Sequence, residues 1–165
     1  MQGERAVAFR SEILIKLDKK GRVLLPAAFR DELPESDRGA FVLYHSPNLA
    51  GVVNGNSRHG FDAMLDRVRT EALGPKGALK VALDDEEFDP AGYMSASART
   101  IAMEPDGRFT LPGEFAEVLD VSEGVMLIGK GDKFQLWNPK RWQDRRNADR
   151  AKMAAFVRAL DGGEA

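Results

Sequence analysis

Two five-residue stretches, Asp18-Lys19-Lys20-Gly21-Arg22 and Glu104-Pro105-Asp106-Gly107-Arg108, put a carboxylate and a guanidinium four residues apart around a glycine. An arginine at the tip of a hairpin projects a planar fork that can grip a phosphate or the O6 and N7 edge of guanine. The carboxylate can instead pair with that arginine across the turn and stiffen it. The two roles are compatible: Asp18 holds the turn while neighbouring cations face a polyanion. Lys19 and Lys20 flank Arg22, whereas Asp106 occupies in the second copy the position of Lys20, which weakens the attraction of that turn for phosphate. Asp18 and Glu104 would also make a carboxylate pair for acid–base work. Against that chemistry, each has an arginine four residues on that keeps it ionised, and a general acid needs a raised pKa.

Other reactive residue types lack the spacing that chemistry needs. His45 and His59 are scattered and no cysteine is present, so a zinc site has no ligand pattern; no metal and no cofactor is expected. Ser95 and Ser97 lie in no nucleophile motif. The glycines of "IGKGDK" at 128–133 lack phosphate-loop spacing and read as a hairpin turn. Trp137 and Trp142 read as core or interface anchors rather than stacking platforms. The cations of the last helix, Lys140 to Arg158, are interrupted by Asp144 and Asp149 and read as a solvated face. No catalytic residue and no small-molecule substrate is expected.

The two turns sit in an internal repeat. A fixed offset pairs Asp18 with Glu104, Gly21 with Gly107, Arg22 with Arg108, Leu25 with Leu111, Pro26 with Pro112, Phe29 with Phe115 and Leu33 with Leu119. Each copy opens on a strand-like run, "ILIKL" or "ARTIAM", followed by a turn in which Gly21 or Gly107 can take a positive φ. A short strand, "RVLL" or "RFTL", comes next, and Pro26 or Pro112 then ends the ladder and starts a helix. Phe29 with Leu33, and Phe115 with Leu119, share one helical face. Two strands follow, "AFVLY" with "AGVV" and "VMLIG" with "KFQLW". Each copy closes on a longer helix: one over roughly 59–73, with Phe61, Leu65 and Val68 inward, and one after Pro139, with Trp142, Met153, Phe156 and Leu160 as its apolar stripe. The organisation predicted is a first repeat at 9–75, a linker at 76–94 and a second repeat at 95–160. Neither copy has enough apolar positions to close a core alone, so the two form one module.

Composition bounds the rest. The chain has 165 residues, 43% apolar and 30% charged, with a formal net charge of -2. That balance argues against indiscriminate polyanion binding. Charge is nevertheless uneven: Arg5, Arg10, Lys16, Lys19, Lys20, Arg22 and Arg30 outnumber Glu4, Glu12 and Asp18 early on, and acids cluster in "DDEEFD" at 84–89. The amino terminus has no uninterrupted apolar core and is not expected to be a secretory signal, nor is any run long enough to span a bilayer. Absence of cysteine fits a reducing interior.

The stretches "LDKKGRVLLPAAFR", "ASARTIAMEPDGRFTLPGEFAEVL" and "LIGKGDKFQLWNPKRW" resemble the MraZ family, whose hallmark is two D-x-x-x-R motifs, each followed by Leu or Ile, a Pro and a short helix. The resemblance spans nearly the whole chain and is strongest at 17–33 and 97–142. It implies a mainly β, α+β fold of the AbrB/SpoVT type, in which two pseudo-twofold repeats interlock into a swapped-hairpin β-barrel with flanking helices. It further implies a closed homo-oligomeric ring, cytoplasmic and nucleoid-associated. Such a ring binds short G-rich direct repeats in double-stranded DNA upstream of its own gene, at the head of a division and cell-wall cluster, as a repressor. Carried over by position, Lys20 and Arg22 in the first turn and Arg108 in the second are the DNA-contacting residues, with Lys19 beside them; Asp18, Gly21, Glu104 and Gly107 fix the turns. Glu104 replaces the second motif's Asp, and "SPNLAGVVNGNSRHGF" at 46–61 is unlike the family's first-repeat ending. A closed ring repeats the basic turn and so builds a cationic face from an acidic chain. The alternative is a ring-forming scaffold that docks a protein partner without specific DNA binding.

Overall fold

A computed structural model describes residues 7–162; Glu4 and Arg5 lie outside the described residues. In chain order, β1 (Glu12–Lys16) and β2 (Arg22–Leu24) lead to α1 (Ala27–Arg30), a 3-10 turn (Glu35–Asp37), β3 (Ala40–His45) and β4 (Val53–Asn56). Helix α2 (Arg58–Arg67) runs through a π-helical stretch (Val68–Leu73) into α3 (Gly74–Leu83), and α4 (Pro90–Ser97) follows. The second repeat supplies β5 (Arg99–Ala102), β6 (Arg108–Thr110), α5 (Gly113–Leu119), β7 (Gly124–Gly129), β8 (Phe134–Trp137) and α6 (Pro139–Leu160). Pro26 and Pro112 are the cap residues of α1 and α5, where a missing N–H costs nothing.

Six strands form one antiparallel sheet in the order β1-β7-β8-β4-β3-β5, and β2 pairs with β6 in a separate two-stranded ribbon. Exchanging the two repeats turns that order into its own reverse, which is the signature of a pseudo-twofold. The first strand of each repeat pairs with the other repeat: Ile13 lies opposite Leu127 and Phe41 opposite Ile101. Neither repeat can therefore complete its sheet alone. The closed barrel anticipated from the sequence does not form, because β1 and β5 end the sheet as unjoined edges. Each short strand is cut off by Pro26 or Pro112 after three paired residues, so β2 and β6 lie as a lid over one face instead of stitching the edges together.

Strand alternation sorts the sheet into two faces. On one, Ile15, Phe41, Leu43, Val53, Val125, Leu127, Phe134 and Leu136 pack beneath Val23 and Phe109 of the ribbon and Phe29 and Phe115 of the short helices. Each such side chain contributes about 1.5–3 kcal/mol of burial, and the set draws on both repeats. Edge-to-face contacts join Phe41 with Phe109 at 5.0 Å and Phe9 with Phe134 at 5.1 Å. The opposite face is covered in two places. Phe61 and Leu65 of α2 pack on Val42 and Tyr44, and Trp142 of α6 packs on Trp137 and Ile128.

Two expectations change. The linker stretch at 76–94 is largely helical, since Pro75 is tolerated at the start of α3 and Asp89 caps α4 through a bond from Gly92 N–H. The apolar stripe of α6 is not buried as a whole: Trp142 is, but Met153, Phe156 and Leu160 are 60%, 58% and 69% exposed, beyond the point where Arg146 pairs with Glu12 of the edge strand β1.

Candidate nucleic-acid interface

The first turn is built by its own carboxylate. Asp18 N–H donates to the Arg22 carbonyl at 2.9 Å and Gly21 N–H to the Asp18 carbonyl at 3.0 Å, with Gly21 at φ +79°. Asp18 Oδ1 accepts from the backbone N–H of Lys20 at 2.8 Å and of Arg22 at 2.9 Å, and Arg22 Nε donates to Asp18 Oδ2 at 3.0 Å. These bonds, the Arg22 backbone N–H first among them, hold the Asp18 carboxyl below the usual aspartate range. Lys19 and Lys20 are exposed at the tip and make no ion pair among the described residues.

The second turn repeats the backbone and changes the side chains. Glu104 N–H donates to the Arg108 carbonyl and Gly107 N–H to the Glu104 carbonyl, each at 2.8 Å, with Gly107 at φ +95°. Glu104 supplies the turn's hydrogen bonds from its backbone, and its carboxylate acts on Arg108 only through its charge. The carboxylate on Arg108 is that of Asp106: Oδ1 accepts from Arg108 N–H at 3.0 Å, and Oδ2 from Nε at 3.0 Å and Nη2 at 2.7 Å. An aspartate two residues before the arginine reaches the backbone N–H in an Asx turn, which the longer side chain at 104 need not do. Asp106 is pulled below its usual range chiefly by the Arg108 backbone N–H, and its side chain in turn raises the Arg108 guanidinium. Gly107 is also tightly enclosed: a Cβ there would lie 2.7 Å from Arg30 Cδ and Nε and 2.8 Å from the Leu25 carbonyl, whereas at Gly21 nothing lies within 4 Å.

The ribbon brings the two arginines together. Arg22 lies opposite Thr110, Val23 opposite Phe109 and Leu24 opposite Arg108. Val23 and Phe109 point inward at 2% and 3% exposure, so alternation sends Arg22, Leu24, Arg108 and Thr110 to the outer face. The arginines are two registers apart, roughly 7 Å along the ribbon at ~3.3 Å per residue. Each turn is also tied to the other repeat: Leu111 N–H donates to the Gly21 carbonyl and Leu25 N–H to the Gly107 carbonyl, both at 2.9 Å. The turns themselves stand at opposite ends of the ribbon, which separates Asp18 from Glu104. Sequence reasoning did not single out Thr110 or Leu24; the β2–β6 register, which no local pattern announces, is what places them.

The remaining candidates sit elsewhere. The His45 ring packs edge-on against Phe115 at 5.0 Å, and no group of three metal-ligating residues occurs among the described residues. Trp137 and Trp142 form an edge-to-face pair at 5.3 Å. On α6, Arg145 pairs with Asp149 and Arg146 with Glu12. No helix among the described residues is long and apolar enough to cross a membrane.

Comparison with known proteins bears on the whole arrangement. The family described as "MraZ protein, putative antitoxin-like" matches residues 94–161. The chain is 27% identical over 130 residues to the transcriptional regulator MraZ of Xylella fastidiosa, covering 79% of this chain and 82% of that protein. It is 29% identical over 128 residues to the protein of the same name from Mesomycoplasma hyopneumoniae, covering 77% of each. A third, from Stenotrophomonas maltophilia, is 26% identical over 130 residues, with 79% and 82% covered. The family match thus falls on the second repeat, and the relatives named transcriptional regulator MraZ are similar to this chain across most of its length.

Proposed function

We propose that this protein is a sequence-specific DNA-binding transcriptional regulator that meets double-stranded DNA with the outer face of the β2–β6 ribbon. The observation that carries the reading is the register that sets Arg22 and Arg108, from different repeats, on one exposed face beside the Lys19–Lys20 tip. A two-stranded ribbon fits the major groove, where an arginine fork reads guanine and lysines neutralise phosphate. The naming of the relatives as transcriptional regulators supports the same class, and nothing in the reading calls for catalysis.

In this reading Arg22 and Lys20 are the principal contacts, Lys19 adds phosphate attraction and Arg108 contributes less, because Asp106 holds two of its donors. The site is G-rich direct repeats upstream of the protein's own gene, and the outcome is repression of a division and cell-wall cluster by a cytoplasmic, nucleoid-associated ring. The repeat-exchanged strand order supports an AbrB-type swapped hairpin, here with an open sheet. Exposed Met153, Phe156 and Leu160 on α6 supply an apolar seam for assembly of copies. The same seam favours, as a second reading, a scaffold ring that binds protein instead of DNA.

Salt separates the two. Fluorescence anisotropy on the upstream DNA and on a scrambled duplex is expected to show selective binding that falls by about 0.9 log units per log unit of salt for each phosphate neutralised. Equal, salt-insensitive binding to both duplexes, or none from an assembled oligomer, overturns the DNA reading.

A further inference from the structure

The sheet face opposite the main core is apolar where α2 and α6 cover it and polar between them. Asn54, Asn56 and Gln135, on the adjacent central strands β4 and β8, are each 4% exposed. Buried amides in mid-sheet cost stability unless every donor and acceptor is used. Some are used: Trp137 Nε1 donates to Gln135 Oε1, and Gln135 Nε2 to Asn54 Oδ1, both at 2.9 Å. Two groups are left poorly served. Asn56 Oδ1 is buried and accepts no hydrogen bond among the described residues. The Tyr44 hydroxyl is bonded by the Asn54 side chain but has as its own acceptor the Met64 thioether at 3.6 Å, a weak one, and burial pushes its phenol up to about 12, so it stays a neutral donor.

These groups line a groove. One compartment of about 430 Å³ is bounded by Tyr44, Asn54, Gln135 and Trp137, with Lys130, Lys133 and Arg145 at its rim. The next, of about 350 Å³, shares Met64 and Lys133 with it and is lined by Asn56 and Arg67. Four cations around the two compartments face two carboxylates, Asp132 on the β7–β8 turn and Asp149, which pairs with Arg145. Part of the walls, Ser46, Pro47, Asn48, Asn54, Asn56 and Gly60, lies inside the segment at 46–61 that is unlike the family pattern.

We propose that this groove is a binding site for a small organic phosphate with an N–H-bearing head, a ribonucleoside monophosphate being the simplest example. The volume suits a mononucleotide-sized ligand. The Asn56 carbonyl asks for an N–H donor, the Tyr44 hydroxyl for an acceptor, and Asn and Gln side chains match the mixed edge of a nucleobase. Lys130, Lys133 and Arg145 fit a phosphate at the mouth. The site lies across the sheet from the β2–β6 ribbon and does not depend on that ribbon's binding DNA.

Trp137 and Trp142 are the only tryptophans, and Trp137 lines the groove, so intrinsic fluorescence of the full-length protein reports occupancy. The probes are AMP, GMP, CMP and UMP, with ribose 5-phosphate and inorganic phosphate as controls. At least one nucleotide is expected to give a saturable change and to bind about tenfold or more tighter than inorganic phosphate. A Lys130→Ala/Lys133→Ala variant should weaken that binding about tenfold, and Asn54→Leu should erase the preference over inorganic phosphate. If Asn54→Leu does not fold, the surface double variant decides. Arg22→Ala should bind the nucleotide as the unaltered protein does. No saturable change with any nucleotide up to about 10 mM, equal binding of inorganic phosphate, or binding indifferent to the lysine pair would each overturn the proposal.

Discussion

The two Gly-Arg turns have the same backbone and different electrostatics. In the first, Asp18 caps two backbone N–H groups and takes one side-chain bond from Arg22, through Nε. In the second, Asp106 takes both Nε and Nη2 of Arg108, while Glu104 gives hydrogen bonds only from its backbone and acts on Arg108 by charge. The first arginine is thus positioned with its terminal nitrogens presented, and the second is positioned and partly neutralised. What the repeat keeps is a hairpin geometry; what it varies is how much of the cation is left for a ligand.

The largest effect expected on that comparison concerns the glycines. Gly107→Ala combines a positive φ with a Cβ clash against Arg30 and the Leu25 carbonyl, and should cost about 3 kcal/mol in denaturant unfolding. Gly21→Ala carries only the conformational cost and should lose about 1 kcal/mol. Equal losses would break the asymmetry. Asp106→Asn keeps an oxygen for the Arg108 N–H and removes the charge that neutralises its guanidinium, so the salt slope of DNA binding should steepen by about 0.9 for each added phosphate contact. An unchanged slope would remove the second turn from the interface. Asp18→Ala leaves the Lys20 and Arg22 N–H groups without their acceptor, and faster amide exchange at both, with several-fold weaker DNA binding, is the expected reading.

The smallest effect is with pH. Asp18 and Asp106 are lowered in the folded state, so their stabilisation is complete above the ordinary aspartate range and is lost as pH falls through the lowered values. Turn order and DNA affinity should therefore be flat between about pH 6 and 8, where neither group titrates. A steep change in that window would point to another titrating group at the interface.

Much of this was legible in the chain itself. The repeat, the glycine turns and the helix-starting prolines are local signals, and they are where the strands, turns and short helices form. The pairing of β1 with β7 and β5 with β3 was not, because strand partners are set by which apolar faces must share a core. The apolar spacing of Met153, Phe156 and Leu160 is helical, yet spacing cannot say whether a neighbour covers it. Reading "AGVV" as the fourth strand placed it three residues early. The paired residues are "VNGN", whose Asn and Gly are poor strand formers and mimic a turn, so the polar groove floor stayed hidden. The role of Asp106 was read as charge alone, when its distance to the Arg108 N–H made it the turn's cap.

The central claim is that the ribbon face contacts DNA and that its first arginine dominates. Anisotropy titrations of the unaltered protein, Arg22→Ala and Arg108→Ala on the upstream DNA, with oligomeric state checked for each, test it most directly. The account predicts an intact assembly in all three, a loss of at least about tenfold in specific affinity for Arg22→Ala, and a smaller loss for Arg108→Ala. Equal affinity of Arg22→Ala and the unaltered protein on that DNA would contradict it.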